Sequence, residues 1–312
     1  MGKYIAKFNR EQQTQIANVF GYGTKSDIEQ ALQELIPTLN QGPRTYGYYG
    51  NKLLAFVKNT PDTLYRFDKV QRRNRLGQFM PKRHLNTPFK VFGLGNGKLP
   101  FHTFSTLALS TCPFKGACAE YCYTLNGWRN PAAFFRQAFN TYVLRFHPHL
   151  IAESFKLLPN SCTLRLYVDG DFDSIQTLQF WMNLLKDRPD VKAYGYSKSL
   201  PFFEQLGQSF NWPKNYQLNI SSGGVSTSEL IEKVKLLPIY RGKFLSLDAG
   251  KAGTGYKENS KPYRQAVRKA AKAQGINRLF VCPGNCGSCL PNGGHACGMP
   301  EFKGITIGIG IH

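Results

Sequence analysis

The feature that most constrains the fold is a regular alternation of strand-like and helix-like segments from about residue 100 onward. Strands are predicted where β-branched and aromatic residues cluster, at 101–110, 162–168, 191–196, 216–220, 243–247 and 278–281. Helices are predicted where apolar residues recur at helical spacing, at 131–145, 173–186, 201–206 and 226–236. This alternation indicates parallel strands with right-handed crossovers. We therefore expect an α/β fold with a partial (β/α)6 barrel-like parallel sheet, and a doubly wound sheet is the alternative.

Seven of the eight cysteines fall into two tight groups, and each group directly follows a predicted strand. The first group consists of Cys112, Cys118 and Cys122, and the second of Cys282, Cys286, Cys289 and Cys297. Thiolates this close together repel one another unless a cation holds them. In a reducing compartment such clusters indicate metal ligands rather than disulfides, so we predict two metal-binding loops. The eighth cysteine, Cys162, is predicted to be a buried core thiol.

The spacing of the cysteines bears on which metal each group holds. The first group lacks the C-x2-C pair of zinc knuckles, which favours a [4Fe–4S] cluster. The second contains such a pair at Cys286 and Cys289, so a second [4Fe–4S] cluster and zinc both stay open. His295 could replace one of the cysteines as a ligand.

Charged and polar residues follow several of the other predicted strands. They are Asp169, Gly170, Asp171, Lys198, Ser221 and Asp248. Because the carboxyl ends of parallel strands meet on one face, we expect these residues to surround the cysteines. Asp169, Asp171, Lys198 and Asp248 are the predicted catalytic residues. For Asp173 we expect a helix-capping role instead.

The first 95 residues contain no cysteine and are predicted to form a separate basic region, 1–95, before an α/β core at 96–312. A helix is predicted over residues 26–39, and short strands over 46–50 and 53–57. A basic stretch with interleaved aromatics then supplies candidate phosphate contacts, namely Arg72, Arg73, Arg75, Lys82 and Arg83. A solvated loop is the alternative interpretation of this stretch.

The chain has a net charge of +21, and a charge of this size attracts polyanions. Nucleic acid is the predicted partner, because no basic amphipathic helix with a clean apolar face indicates a membrane surface. The sequence has no apolar run long enough for a membrane helix, and its first residues lack the apolar core of a signal peptide. We therefore expect the cytoplasm of a bacterial host. The oligomeric state stays open.

Two resemblances follow from these motifs. The three-cysteine loop after the first strand, with an aromatic at Tyr121-Cys122, is similar to the radical S-adenosylmethionine superfamily, although its C-x5-C-x3-C spacing differs from the usual C-x3-C-x2-C. The resemblance implies a [4Fe–4S] cluster with one open iron and bound S-adenosylmethionine. It implies cofactor contacts from Tyr121, Gly170 and Asp171, to which we add Ser221 at a neighbouring strand end.

The stretches 110–123, 164–172 and 189–198, together with the second cysteine group, resemble the gene product 88 family of phages and plasmids. That resemblance covers roughly residues 90–312 and implies a mobile-element origin. The leading functional expectation is a nucleic-acid-binding iron–sulfur protein that modifies RNA or DNA by radical S-adenosylmethionine chemistry. The alternatives are a non-catalytic, metal-stabilised nucleic-acid-binding protein and a metal-dependent nuclease that uses Asp169, Asp171 and Asp248.

Overall fold

The computed structural model describes residues 8–61, 63–73, 79–250, 260–290 and 294–311, with backbone alone for 66–73 and 79–83. It divides into two compact units. The first comprises Met1–Val91 and Gly127–Leu158, and the second comprises Phe92–Asn126 and Pro159–His312. The first unit therefore includes a segment that lies, in sequence, inside the second. The domain boundary at residue 95 stays a prediction.

The elements of the described residues are as follows. The helices are α1 (Arg10–Tyr22), α2 (Lys25–Leu35), α3 (Tyr46–Lys58), α4 (Thr124–Gly127), α5 (Pro131–Phe146), α6 (Pro148–Lys156), α7 (Ile175–Asp187), α8 (Leu200–Leu206), α9 (Ser228–Lys235) and α10 (Lys261–Ala273). The strands are β1 (Tyr65–Arg73), β2 (Phe79–Leu85), β3 (Gly93–Asn96), β4 (Leu99–Thr103), β5 (Thr163–Leu166), β6 (Lys192–Ser197), β7 (Tyr216–Ser221), β8 (Tyr240–Leu247), β9 (Phe280–Val281) and β10 (Ile307–Gly310).

The first unit is mainly helical, and one of its helices replaces two predicted strands. Residues 46–50 and 53–57 were expected to be strands, because Tyr and Val favour extended backbone. They form the single helix α3, which begins after Thr45, whose hydroxyl accepts a hydrogen bond from the Tyr48 N–H. Leu53, Phe56 and Val57 are buried at helical spacing. The prediction of strands is wrong here because the packing of this apolar face outweighs local propensity.

The predicted helix over residues 26–39 is confirmed as α2, although it begins and ends earlier. Its N-cap is Thr24, which forms a capping box with Asp27. The basic stretch forms the antiparallel hairpin β1–β2, which pairs Tyr65 with Leu85 and Arg73 with Phe79. The side chains of Arg72, Arg73, Lys82 and Arg83, and the whole of Arg75, lie outside the described residues. The nucleic-acid contacts assigned to them therefore stay predictions.

The second unit is built on an open sheet in which eight strands are described, in the order β3-β4-β5-β6-β7-β8-β10-β9. The pair β3–β4 is antiparallel, and the other neighbours are parallel. The predicted α/β class with a mainly parallel sheet is confirmed, whereas the sheet does not close and has more strands than the six expected. The sequence patterns missed β3 and β10, and of the predicted strand 101–110 only residues 101–103 are strand, in β4. Strand β10 lies between β8 and β9.

The register of the sheet aligns a set of polar and aromatic residues on one face. Arg165 pairs with Tyr194, Tyr196 with Asn219, and Ser221 with Phe244. Side chains paired in this way point to the same side of a sheet. This side, here called the polar face, carries the second cysteine group, as described below. No helix within the described ranges is long and apolar enough to cross a membrane.

Candidate functional site

The first cysteine loop is bound to the carboxyl end of β7 through its backbone. The carbonyl of Gly223 accepts hydrogen bonds from the N–H groups of Gly116 and Cys118, both at 3.1 Å. The Val225 N–H donates to the Phe114 carbonyl at 3.1 Å. These bonds hold the loop against the edge where the parallel strands end, which is where the sequence predicted it.

Two glycines let this loop approach the strand ends closely. Gly223 has φ +81°, and a Cβ there would lie 2.5 Å from the Tyr121 hydroxyl. Gly170 has φ +80°, and its Cβ would lie 2.0 Å from Thr106 Oγ1 and 2.7 Å from Thr111 Oγ1. Both positions therefore require glycine on two grounds, the left-handed backbone and the lack of space. Tyr121 and Gly170, predicted as site residues, do lie at the first cysteine loop.

Residues after the loop attach it to the end of β5. The hydroxyl of Thr124 donates to Asp169 Oδ1 at 2.7 Å, and the Tyr123 hydroxyl donates to the Val168 carbonyl. The backbone of Asp169 also accepts from the Thr106 N–H at 3.1 Å. Asp169 is thus part of the frame that fixes the loop.

Asp171 is buried and organises the neighbouring strand end. Its carboxylate accepts hydrogen bonds from the Ser197 hydroxyl at 2.7 Å, the Lys198 N–H at 2.7 Å and the Phe172 N–H at 2.8 Å. Burial raises the pKa of Asp171, although these donors oppose the shift. The Lys198 ammonium in turn donates to Ser221 Oγ at 3.0 Å. Asp171, Lys198 and Ser221 therefore form one hydrogen-bonded chain across three strand ends.

The thiol of Cys112 lies within electrostatic range of that chain. Burial and, to a smaller extent, the charges of Asp171 and Cys122 raise its pKa to about 12, although Lys198 opposes the shift. Cys112 and Cys122 therefore lie close enough to affect each other's ionisation, and without a cation the Cys112 thiol stays protonated.

Two acidic residues that the sequence singled out have local roles. Asp248 is exposed, and its carboxylate accepts from the Gly250 N–H at 2.9 Å, so it closes a turn. The expected capping role of Asp173 belongs to its neighbour: the hydroxyl of Ser174 accepts from the Thr177 N–H at the start of α7. The predicted cap was one residue off because Asp and Ser both favour this position.

The second cysteine group lies across the polar face of the sheet. The Cys286 N–H donates to the Lys98 carbonyl at 2.7 Å, and Asn219 Nδ2 donates to the Cys297 carbonyl at 2.9 Å. The Tyr194 hydroxyl lies 3.9 Å from Cys286 Sγ. Cys297 is buried in a cluster with Tyr194. The sequence placed this group at a strand end, and its course across the middle of the sheet was not predicted.

The four thiols of this group influence one another. Burial and, to a smaller extent, the charges of Cys297, Cys289 and Cys286 raise the pKa of Cys282 to about 12. Burial also raises the pKa of Cys297 to about 11, whereas a hydrogen bond from Tyr196 lowers it. The chain thus concentrates thiols that ionise only if positive charge compensates them.

A histidine next to this group has a nitrogen with no partner. His295 Nε2 is buried and has no hydrogen bond within the described residues. Its ring packs 4.5 Å from that of Phe101 and 4.9 Å from that of Tyr194. Burial lowers its pKa to about 4, with a smaller contribution from Lys192, so the imidazole is neutral. A neutral imidazole with an unused nitrogen is the form that binds metals.

Two arginines, the partly buried Arg165 and the fully buried Arg241, flank the second group and have no acidic partner among the described residues. Arg165 stacks 4.8 Å from the ring of Tyr196, and its buried Nε has no hydrogen bond there. Arg241 is fully buried and donates to Asn219 Oδ1 at 2.7 Å and to the Ile305 carbonyl at 3.0 Å. Neither guanidinium group forms an ion pair with a carboxylate among the described residues.

The charges around these arginines come from the cysteine group and its tyrosines. Burial lowers the pKa of Arg165, but Tyr196, Tyr123, Tyr194 and Cys286 raise it above its ordinary value. Burial lowers the pKa of Arg241, and Cys297 opposes the shift. Sequence reasoning missed both residues. A signal existed for Arg165, since a cation inside the otherwise apolar run Leu164–Leu166 is unusual.

The structure therefore brings the first cysteine loop together with Asp169, Gly170, Asp171, Tyr121, Lys198 and Ser221, and leaves Asp248 in a turn. Within the described part of the chain, no three His, Cys, Asp or Glu side chains are arranged to hold a metal ion as they stand. The donor chemistry nevertheless fits a thiolate metal centre, because four mutually interacting thiols, an unused imidazole nitrogen and two unpaired cations lie together. Cys162, predicted as a core thiol, is partly buried beside β5.

A model of the gene product 88 family matches residues 69–290 of this chain. The chain belongs to the gene product 88 family. The matched range contains the whole first group and Cys282, Cys286 and Cys289 of the second, whereas Cys297 lies beyond it. No curated protein and no solved structure matches the chain. The resemblance to radical S-adenosylmethionine enzymes stays a prediction.

Proposed function

We propose that this gene product 88 protein is an iron–sulfur protein of a mobile genetic element and that it acts on nucleic acid. The observation that supports the metal centre most strongly is a pair of arginines beside Cys286 and Cys297: Arg241 is fully buried, and Arg165 is partly buried with a buried Nε. A buried cation without an anion is costly, and a folded chain that keeps these two arginines provides negative charge nearby in its working state.

Thiolates supply that charge. Four thiolates around zinc, or around a [4Fe–4S] cluster in its oxidised form, leave two negative charges in excess. Two guanidinium groups balance that excess. Cys282, Cys286, Cys289 and Cys297 would hold the metal, with His295 as a substitute ligand. This charge balance is the same for zinc and for the [4Fe–4S] cluster. It therefore supports a thiolate centre, and metal analysis decides which metal is bound.

The first cysteine group supports a cluster with an open position. Cys112, Cys118 and Cys122 supply three thiols, and Lys198 and Ser221 lie at the same strand ends. A [4Fe–4S] cluster held by three cysteines has one iron free for another ligand. We propose S-adenosylmethionine as that ligand; its reductive cleavage would supply the radical. When the reconstituted protein is reduced and given S-adenosylmethionine, it is expected to form 5′-deoxyadenosine. A complete absence of that product would contradict the proposed cleavage of S-adenosylmethionine.

The net charge of +21 supports nucleic acid as the substrate or partner. A non-catalytic, metal-stabilised nucleic-acid-binding protein is the alternative that shares these observations. The nuclease alternative has less support, because three donors engage the Asp171 carboxylate and Asp248 closes a turn.

The test is metal analysis of anaerobically purified protein. Wild type is expected to contain iron and acid-labile sulfide, with zinc permitted at the second group. Replacing Cys112, Cys118 and Cys122 with Ser should remove the first cluster. Cys162→Ser is the matched control, since it removes a thiol outside both groups and should leave the metal content unchanged. Protein that contains zinc and no iron would refute the iron–sulfur proposal, and protein that binds neither metal would refute both metal centres.

A further inference from the structure

Helix α10 is attached to the sheet by one apolar face. Tyr263, Val267 and Ala271 are buried against Leu247 and Val281. The Tyr263 hydroxyl also accepts a hydrogen bond from the Gly310 N–H at 2.9 Å. This apolar face is therefore buried inside the second unit and is not available to another partner.

The opposite face of α10 is strongly basic. Its exposed basic residues are Lys261, Arg264, Arg268, Lys269 and Lys272, and the helix contains no Asp or Glu. At about 100° per residue these five side chains spread over roughly 140° of the helix circumference. We call this surface the α10 basic face. It is separate from the hairpin β1–β2, to which the sequence assigned the phosphate contacts.

The charges of the α10 basic face have no compensation within the described residues. None of the five basic side chains forms an ion pair or a hydrogen bond there. Arg264, Arg268 and Lys272 are spaced four residues apart, so neighbouring charges repel each other by roughly 0.2–0.5 kcal/mol per pair. The stability of the helix therefore does not explain why these charges are clustered. An anionic partner that compensates them does.

We propose that the α10 basic face binds the phosphate backbone of a nucleic-acid duplex. A membrane surface is a poorer partner, because binding there requires an exposed apolar face and that of α10 is buried. Single strands are poorer partners too, because they are held by exposed aromatics that stack on bases, and Tyr263 is buried. This inference rests on the proposed function for nucleic acid as the partner, and it specifies the surface and the form bound.

The experiment compares two variants that each lose five positive charges from the full-length chain. One replaces Lys261, Arg264, Arg268, Lys269 and Lys272 with Gln. The comparison variant replaces Arg66, Arg72, Arg73, Lys82 and Arg83 with Gln, and so removes the charges of the hairpin to which the sequence assigned phosphate contacts. Binding to a labelled DNA duplex, an RNA duplex and a single strand is measured by fluorescence anisotropy over a series of salt concentrations.

The α10 variant is expected to lose duplex affinity, and its slope of log affinity against log salt should fall by about 0.9 for each phosphate contact removed. It should fold at least as stably as wild type, because like charges are removed. The hairpin variant should keep more of the duplex slope than the α10 variant, because the aromatics interleaved with its basic residues suit single strands. If the hairpin variant loses affinity and the α10 variant does not, or if both lose it equally, the inference is refuted while nucleic acid remains the partner. If wild type binds no nucleic acid, the inference and that part of the proposed function both fall, and the metal centres are unaffected.

The triple variant R264Q/R268Q/K272Q is a second, milder test of the same surface. It leaves the buried residues and the first turn of α10 unchanged. Its slope should lie between those of wild type and the fivefold variant. A triple variant that folds normally and binds duplex as wild type does would also refute the inference.

Discussion

Replacing Arg165 with Met should have opposite effects on the stability of the metal-free and the metal-loaded protein. Without metal, the substitution removes a guanidinium whose buried Nε has no hydrogen bond among the described residues. It forfeits the stacking on Tyr196, which is 4.8 Å away and worth about 0.5–2 kcal/mol. It also removes a desolvation cost of several kcal/mol. The free energy of unfolding of the metal-free variant should therefore match or exceed that of wild type.

With metal bound, the same substitution is expected to lower the free energy of unfolding. Removing one partner of a buried charge pair costs about 3–5 kcal/mol, because the other charge is left uncompensated. Every 1.4 kcal/mol is a factor of ten, so the second group should bind metal roughly 10²- to 4 × 10³-fold more weakly in the variant. Arg165→Lys keeps the charge and should retain most of the affinity.

The assay uses zinc as the probe, in competition with a chromophoric chelator. Cys112, Cys118 and Cys122 are first replaced with Ser, so that zinc binding reports the second group alone. Urea unfolding is followed with and without metal. Arg241→Met is the comparison, because it breaks hydrogen bonds to Asn219 and Ile305 and should destabilise the metal-free protein as well. A variant at Arg165 that binds zinc as tightly as wild type would refute the electrostatic argument.

Two further predictions concern the frame of the protein. Gly170→Ala should lower the free energy of unfolding by about 2–4 kcal/mol, from backbone strain plus the clash with Thr106. Gly275→Ala, with φ +74° and no atom within 4 Å of the added Cβ, should lose about 1 kcal/mol or slightly more; equal losses in urea unfolding would contradict the clash. The pKa of His147 is lowered by burial and by the charges of Lys25 and His149, so the folded chain binds this proton less tightly than the unfolded chain. As pH falls through about 6.5, the unfolded chain therefore takes up more of a proton there, and stability should decline as pH falls from about 7 towards 5. The decline should be smaller in His147→Gln, and an unchanged decline would contradict this role.

The parallel core could be predicted because its information is local. Strands such as Lys192–Ser197 and helices such as Ile175–Asp187 carry their periodicity within a few residues. The carboxyl-edge rule then placed Asp171, Lys198 and the first cysteine loop together, and hydrogen bonds at 2.7 and 3.0 Å link Asp171 through Lys198 to Ser221. The strand β10 was missed because Ile307–Gly310 is short and half glycine.

The features that sequence patterns did not reveal depend on long-range packing. Helix α3 contains a Tyr- and Gly-rich stretch that favours strands locally, and it becomes helical because its apolar face is buried in the first unit. The course of the second cysteine group across the sheet depends on partners such as Asn219, which lies 78 residues from Cys297 in sequence. The role of Arg165 is inferred from the absence of an acidic partner among the described residues. No local sequence pattern encodes such an absence.

The most direct test of the thiolate metal centres is a Mössbauer spectrum of protein expressed with isotopically enriched iron and purified without oxygen. The wild-type chain should show the spectrum of [4Fe–4S] clusters, and Cys112→Ser should lose the first group's share of it. Titration of the same samples with a thiol reagent should leave the grouped cysteines protected. A spectrum without protein-bound iron, together with eight freely reactive thiols and no zinc, would contradict the account.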